Sequence, residues 1–482
     1  MNKREMFRYL DENKDTMASA SDMIWDYAET AFEEFRSAEL IKGIMRDHGF
    51  EIESKFDGMD TAFCATFGNG LPAIGILAEY DALSGMSQAA GSVERRGLQN
   101  SGNGHGCGHN LFAGASIGAA LAVKEYMTRN NLSGTVKLFG CPGEEGGSGK
   151  AFMARAGAFD ALDAAFAWHP MAVNAVLDMT MLANYQVLYK FKGVAAHAAA
   201  APDKGRSALD AVELMNVGVN FLREHVIQEA RIHYAITDSG GFSPNVVQPS
   251  ADVLYLIRAP RTPQVEEIYR RVNKIAQGAA MMTETELEIQ FVKACANVIP
   301  NKTLGGVLHG NLSGLDMPVY SEEELRFAAE IAKTSPGSAS SDIERYLKDH
   351  AADMRLCLKK LEGKPICDIT LPFYPDDPDR MLSGSSDVGD VSWITPTAQV
   401  ATACYALGTP EHSWQLVSQG RTSIGHKGMV LAAKAISGGI ADVLQSPGIL
   451  DKAKEELTDR LNGERYRSAI PDGVMPRPIG KL

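Results

Sequence analysis

What this chain lacks narrows its function first. Nowhere in its 482 residues does an apolar run approach the roughly 18 positions of a membrane-spanning helix. Basic residues are in the minority, 47 Lys and Arg against 60 Asp and Glu, for a formal net charge of -13. Such a chain is a poor partner for nucleic acid or an anionic membrane, because the phosphates repel it. Cysteine is sparse and odd in number, seven in all: Cys64, Cys107, Cys141, Cys295, Cys357, Cys367 and Cys404. That is no disulfide framework, and no C-x-x-C pair exists to build a zinc ribbon or a dithiol redox centre. The opening residues Met1 to Glu5 have no apolar stretch behind them, so no secretory leader is expected. These absences together predict a cytoplasmic protein.

Apolar segments then set the organisation. Residues 4 to 48 read as helices: Ile24, Trp25, Ala28, Ala31 and Phe32 recur at helical spacing, and Ser21 suits an N-cap. Leu71–Leu77, Gly134–Gly140 and Ala164–Trp168 read as buried strands, with an Ala-rich helix over Leu111–Tyr126. Alternating strands and helices predict an α/β fold with a mostly parallel sheet, whose ligands bind beyond the carboxyl ends of the strands. Glu79 and Asp81, Glu144 and Glu145, and His169 all fall at such ends. From Gln186 the pattern changes. Val187–Gly193 alternates like a half-exposed strand, followed by helix (207 to 225), strand (253 to 257), helix (265 to 281) and strand (287 to 292). This predicts a small α+β domain inserted over 186–300, between parts of a larger domain at 1–185 and 301–482. Residues 301 to 369 read as polar and helical, and 470 to 482 as a loose tail.

The chemistry concentrates in Gly104-His105-Gly106-Cys107-Gly108-His109-Asn110, Cys141-Pro142-Gly143-Glu144-Glu145 and Trp168-His169-Pro170. A thiol, imidazoles and paired carboxylates within one short span suit a two-metal hydrolase, with a spare carboxylate to activate water. A C-x-H pair alone is as readily a buried Cys beside a loop His. Adjacent acids are usually solvated, but Glu144 and Glu145 sit between an apolar strand and glycines, where one can ligate and the other act as a base. His412, His105 and His426 compete for a remaining ligand position. Gly143 to Lys150 is not a phosphate loop: Glu144 stands where the first glycine belongs, and Ala151 follows Lys150. Cys141 has no Cys/His/Asn arrangement around it and reads as strand packing.

At these residues the chain resembles the M20 metallopeptidases, and within them the amidohydrolase subfamily. The likeness runs from about Ile24 to Ser437, carried by 104–111, 141–152, 193–199, 205–212 and 412–428. It implies an α/β catalytic domain with an inserted lid that often dimerises, and two divalent metals, manganese or zinc. It assigns Cys107, His109, Glu145, His169 and His412 as ligands, Glu144 as general base, and His105 and Asp81 to positions behind the ligands. His197 of the lid would hold the oxyanion, often across a dimer. Asn245 and Arg258 would bind the substrate, and 385–389 would form a Gly/Ser-rich loop at the active site. Glu79 and Asn110 stand where the family usually has Asp. The implied substrate is an N-acyl or N-aroyl amino acid, p-aminobenzoyl-glutamate first among them. A general acyl-amino-acid or dipeptide hydrolase and a non-catalytic subunit are the alternatives. The implied assembly is a homodimer, or a heteromer with a homologous A subunit.

Overall fold

The computed structural model describes residues 1–98, 102–375, 377, 380–478 and 480. Its strands are β1 (Glu51–Phe56), β2 (Met59–Asn69), β3 (Ala73–Glu79), β4 (Gly134–Cys141), β5 (Ala164–Met171), β6 (Ala175–Val176), β7 (Thr180–Met181), β8 (Ala183–Lys192), β9 (Arg231–Asp238), β10 (Ser250–Ala259), β11 (Glu286–Cys295), β12 (Met381–Leu382) and β13 (Thr397–Ala403). The helices that matter here are α1 (Lys3–Glu12), α2 (Lys14–Tyr27), α3 (Phe35–Asp47), α4 (His109–Asn130), α5 (Glu144–Gly147), α6 (Gly149–Arg155), α7 (Ala208–Leu222) and α8 (Thr262–Thr283). Among the described residues, no helix is long and apolar enough to cross a membrane.

The larger sheet has seven strands in the order β1-β2-β4-β3-β5-β13-β6. Its centre is parallel: β4, β3, β5 and β13 run together. β1, β2 and β6 join the edges antiparallel. The sheet is therefore mixed and mostly parallel at its core. Every residue of β3 and β13 is buried, as expected for strands covered on both faces. α4 packs on β3 and against α2 and the helix Ser423–Gln445. Leu111, Phe112 and Ile117 of α4 are buried in that contact, each worth about 1.5–3 kcal/mol. Because the central strands are parallel, their carboxyl ends share one edge. That is what gathers the polar clusters.

A second, antiparallel sheet runs β11-β8-β10-β9, with α7 and α8 packed against its strands. Strand β8 is not half-exposed as its alternation suggested. It lies between two neighbours and is buried over nearly its whole length. Strand β9 was not foreseen; it forms an edge whose side chains are almost all exposed, apolar Tyr234 and Ile236 among them. Strands β1 and β2 were also missed. Ser21 is not an N-cap: it is buried within α2 and accepts a hydrogen bond from Asn110 Nδ2 at 2.9 Å. The expected loose tail is anchored. Ile470 is buried, and the Pro471 and Val474 carbonyls accept from the Arg155 guanidinium at 2.9 and 2.8 Å. Residues 479, 481 and 482 of that segment lie outside the described residues.

Asp390 ties three remote parts together. It accepts from the Ala296 backbone N–H at 3.0 Å and from the Tyr466 hydroxyl at 2.8 Å. Burial pushes its carboxyl up from 3.8 to about 7. The unfolded chain therefore releases this proton first as pH rises, so stability is lost between about pH 4 and pH 7 and levels off above. Asp390→Asn removes that loss. The melting temperature of the variant relative to the wild type is expected to rise through this window, equivalent to about 2 kcal/mol or more, and then plateau. A difference independent of pH would contradict the assignment.

Candidate metal centre

The Cys107–His109 turn is shaped by the glycine between its donors. Gly108 has φ +77°, and a Cβ there would fall 1.9 Å from the Tyr405 hydroxyl and 2.8 Å from Pro170 Cγ. Only glycine fits. The turn leaves Cys107 Sγ 3.5 Å from His169 Nε2. His109 opens α4, and its Nδ1 bonds Asp81 Oδ1 at 2.9 Å. Asp81 Oδ2 accepts from the Glu145 backbone N–H at 3.0 Å. One carboxylate thus orients a histidine and the acidic turn together.

Three groups of donor atoms lie within 4.8 Å of one another: Cys107, His109 and His169; Cys107, Glu145 and His412; Glu79, His109 and Glu144. The first two share the Cys107 sulfur. His412 reaches the second from a loop, held at φ 52° with its N–H bonded to the Gly106 carbonyl at 2.9 Å. Its Nε2 lies 3.1 Å from Glu145 Oε1. Two of these atoms, His109 Nε2 and Glu145 Oε1, are buried and face only other members of the donor groups, Glu79 and His412, each at 3.1 Å. Such clustering fits a pair of divalent cations, and a thiolate–imidazole–carboxylate set suits borderline metals.

The adjacent acids are driven apart electrostatically. Burial, then the carboxylates of Glu79 and Asp387, pushes Glu144 well above the ordinary range. Burial also raises Glu145, but the hydrogen bond from His412 and the charge on His109 outweigh it and hold Glu145 low. Opposite shifts on neighbouring carboxyls separate a proton carrier from an anionic ligand. Burial lowers His109, yet Asp81 and Glu79 overcome that and raise it to about 10. Burial and nearby carboxylates push the Cys107 thiol well up; a bound cation reverses that by taking the thiolate.

Behind these groups lies a buried ion network that the sequence did not reveal. Lys150, with no exposed surface, places Nζ 2.7 Å from Glu79 Oε1 and in contact with Asp387 Oδ1. Its backbone N–H bonds Asp387 Oδ2 at 2.8 Å. Glu79 is the longer acid at its position, and its other oxygen lies 3.1 Å from His109 Nε2. The glycine-rich run before Lys150 was a signal of close packing, and Asp387 lies in the Gly/Ser-rich loop 385–389.

Other expected residues distribute unevenly. Arg258 lines the same cleft of about 550 Å³ as Cys107, Glu144, Glu145, His169 and His412. His197 and Asn245 do not line it. They occupy exposed loops, joined by the Ala198 N–H to the Asn245 carbonyl at 2.9 Å. His105 is buried with Nε2 on the Ile24 carbonyl at 3.0 Å. Burial pushes it down to about 4, so it is a neutral anchor to α2 and joins no donor group. His426 pairs with Asp22 at 2.8 Å, outside the cleft lining. Asn110 bonds Ser21 and the Gly420 carbonyl, both at 2.9 Å, and not the donor groups.

The model of peptidase family M20/M25/M40 matches residues 75–351. The chain belongs to this family. It is thus a hydrolase of amide bonds, and its M20 membership agrees with a centre for two divalent ions. It is 46% identical over 484 residues to one of the subunits of the p-aminobenzoyl-glutamate hydrolase of Escherichia coli K12, covering 99% of this chain and 100% of that one. The M20 fold recurs in an aminobenzoyl-glutamate utilization protein from Klebsiella pneumoniae, at TM-score 0.56 and 17% identity over 88% of this chain and 97% of that one. It recurs again in the Bacillus subtilis YXEP protein, a dinuclear metal binding peptidase, at TM-score 0.52 and 16% identity over 88% and 98%.

Removing Lys150 would leave Glu79 and Asp387 buried and uncompensated. Lys150→Met is expected to lower unfolding free energy by about 3–5 kcal/mol in urea titrations. A loss below about 1 kcal/mol would show that the network is not the support of this M20 site.

Proposed function

We propose that this protein hydrolyses p-aminobenzoyl-glutamate to p-aminobenzoate and glutamate. The observation that carries the reading is the pair of donor groups sharing Cys107, with Glu144 beside them on the same cleft. The near-full-length likeness to a chain of a p-aminobenzoyl-glutamate hydrolase supports the substrate. Cys107, His109 and His169 would hold one ion, and Cys107, Glu145 and His412 the other, manganese or zinc. When bound, such ions polarise the amide carbonyl and bring water towards a neutral pKa. Glu144 takes the water proton and returns it to the leaving nitrogen of p-aminobenzoyl-glutamate's glutamate half, so the amine departs neutral. Asp81 keeps the His109 ring aligned throughout. Arg258 offers a guanidinium fork to the substrate carboxylate.

Residues 186–300 act as a lid on the catalytic parts, 1–185 and 301–482. Their far end carries His197 and Asn245 away from their own cleft. Beside them lie the exposed β9 edge, with Tyr234 and Ile236, and the exposed Val217 and Phe221 of α7. An open edge strand and an apolar helix face fit a partner lid, of a second copy or a homologous A subunit. Such docking would deliver His197 to the partner's cleft as an oxyanion donor. All seven cysteines are free, which suits the reducing cytoplasm.

Purified protein supplied with manganese or zinc is expected to release p-aminobenzoate, and Glu144→Ala to lower kcat by about 10²–10⁴-fold. Undiminished turnover in Glu144→Ala would overturn the assignment of the base. If His197 serves across the interface, mixing inactive Glu144→Ala and His197→Ala chains restores roughly a quarter of wild-type activity, because one site in each mixed dimer is intact. No restoration on mixing would place His197 in its own cleft.

A further inference from the structure

The lid sheet turns a polar face to the cleft, and a backbone irregularity shapes it. Along β10 and β8, Arg258 faces Asn184 and Leu256 faces Gln186. On the other side of β8, β11 pairs Phe291 with Val187 but Lys293 with Gln186, so Val292 is an extra residue. This is a β-bulge, which re-aims the side chains that follow it. Without it Lys293 would oppose Tyr185, whose ring packs 5.7 Å from Tyr269 of α8 and 5.2 Å from Phe291. With it, Lys293 and Cys295 join Asn184, Gln186, Leu256 and Arg258 on the cleft lining.

Two polar atoms on this face, Arg258 Nε and Asn184 Oδ1, are buried and unpaired. Lys293 is buried along its stem, at 6% exposure, lines the cleft, and makes no ion pair or hydrogen bond to a described residue. A cation that lines a cleft without a protein carboxylate is free to pair with an anionic ligand. The other cations of this cleft are differently placed: Arg345 is paired with Glu411 at 2.7 Å, and Lys348 is exposed. Lys293 and Arg258 stand two strands apart and two positions along, about 12 Å between backbones. Two long side chains can close that span onto the two carboxylates of one amino acid.

We infer that Lys293 is a specificity-determining residue: with Arg258 it forms a two-cation floor that selects N-acyl amino acids bearing a second, side-chain carboxylate. Arg258 takes the α-carboxylate and Lys293 the side-chain carboxylate. A neutral side chain in the same place leaves Lys293 unpaired, and that loss supplies the discrimination. The inference rests on reading this cleft as an acyl-amino-acid hydrolase site.

The test is calorimetric binding of p-aminobenzoyl-glutamate and p-aminobenzoyl-glutamine to metal-supplied Glu144→Ala protein, with and without Lys293→Met. The glutamate conjugate is expected to bind at least about tenfold tighter, and Lys293→Met to bring the ratio near one. Arg258→Met should weaken both conjugates alike. Lys293→Glu should invert the preference towards glutamine, a gain that misfolding cannot mimic. A preference for glutamate that survives Lys293→Met, equal binding before the substitution, or binding of neither conjugate would overturn the inference. Because binding is read without turnover, a wild type that fails to hydrolyse either conjugate would sink the proposed reaction alone, leaving a collapsed binding ratio to stand.

Discussion

Carboxylates gathered at one edge of a parallel sheet repel one another, and the structure is arranged around that repulsion. Glu79, Asp81, Glu144 and Glu145 converge there because β3 and β4 run in the same direction. Charges a few ångströms apart in a poorly hydrated cleft cost several kcal/mol unless cations or protons answer them. Lys150 answers Glu79 from behind, and His109 answers Asp81 at the side. What remains unanswered opens on the cleft, and it is there that divalent ions belong. Burial first, and then that repulsion, raises the Glu144 carboxyl, while the hydrogen bond from His412 and the charge on His109 hold Glu145 low.

The second sheet extends this logic to the substrate. The edge with the donor groups is anionic and suits metals; the second sheet supplies Arg258 and Lys293 to the same cleft and suits carboxylates. On the proposed reading, a cleft with one anionic and one cationic wall would orient an acidic amino-acid amide, its carbonyl towards the metals and its carboxylates towards the second sheet. The strain at His412, whose backbone is left-handed, lies on the anionic wall and is held by the Gly106 carbonyl.

Much of this was legible in the sequence, for local reasons. Buried parallel strands are continuous apolar runs, so β3, β4 and β5 and the polar residues at their ends could be read directly. The Cys107–His109 and Glu144–Glu145 pairs are adjacent along the chain. What escaped depends on distant partners. Lys150 meets Asp387 across 237 positions, which leaves no local pattern. Lys293 reaches the cleft through a bulge that alternation cannot foresee. Ser21 looked like a cap because serine often is one, but its partner Asn110 lies 89 positions away. His197 was expected at the site from its motif, but it lies on an exposed loop outside the cleft lining, a placement that only the tertiary fold decides.

The central claim is that Cys107 is shared between two ions. The most direct measurement is anomalous X-ray scattering from crystals grown with zinc or manganese. The account predicts two peaks about 3.5–4 Å apart astride Cys107 Sγ, one beside His109 and His169 and the other beside Glu145 and His412. A single peak, or two peaks that leave Cys107 uncoordinated, would contradict it.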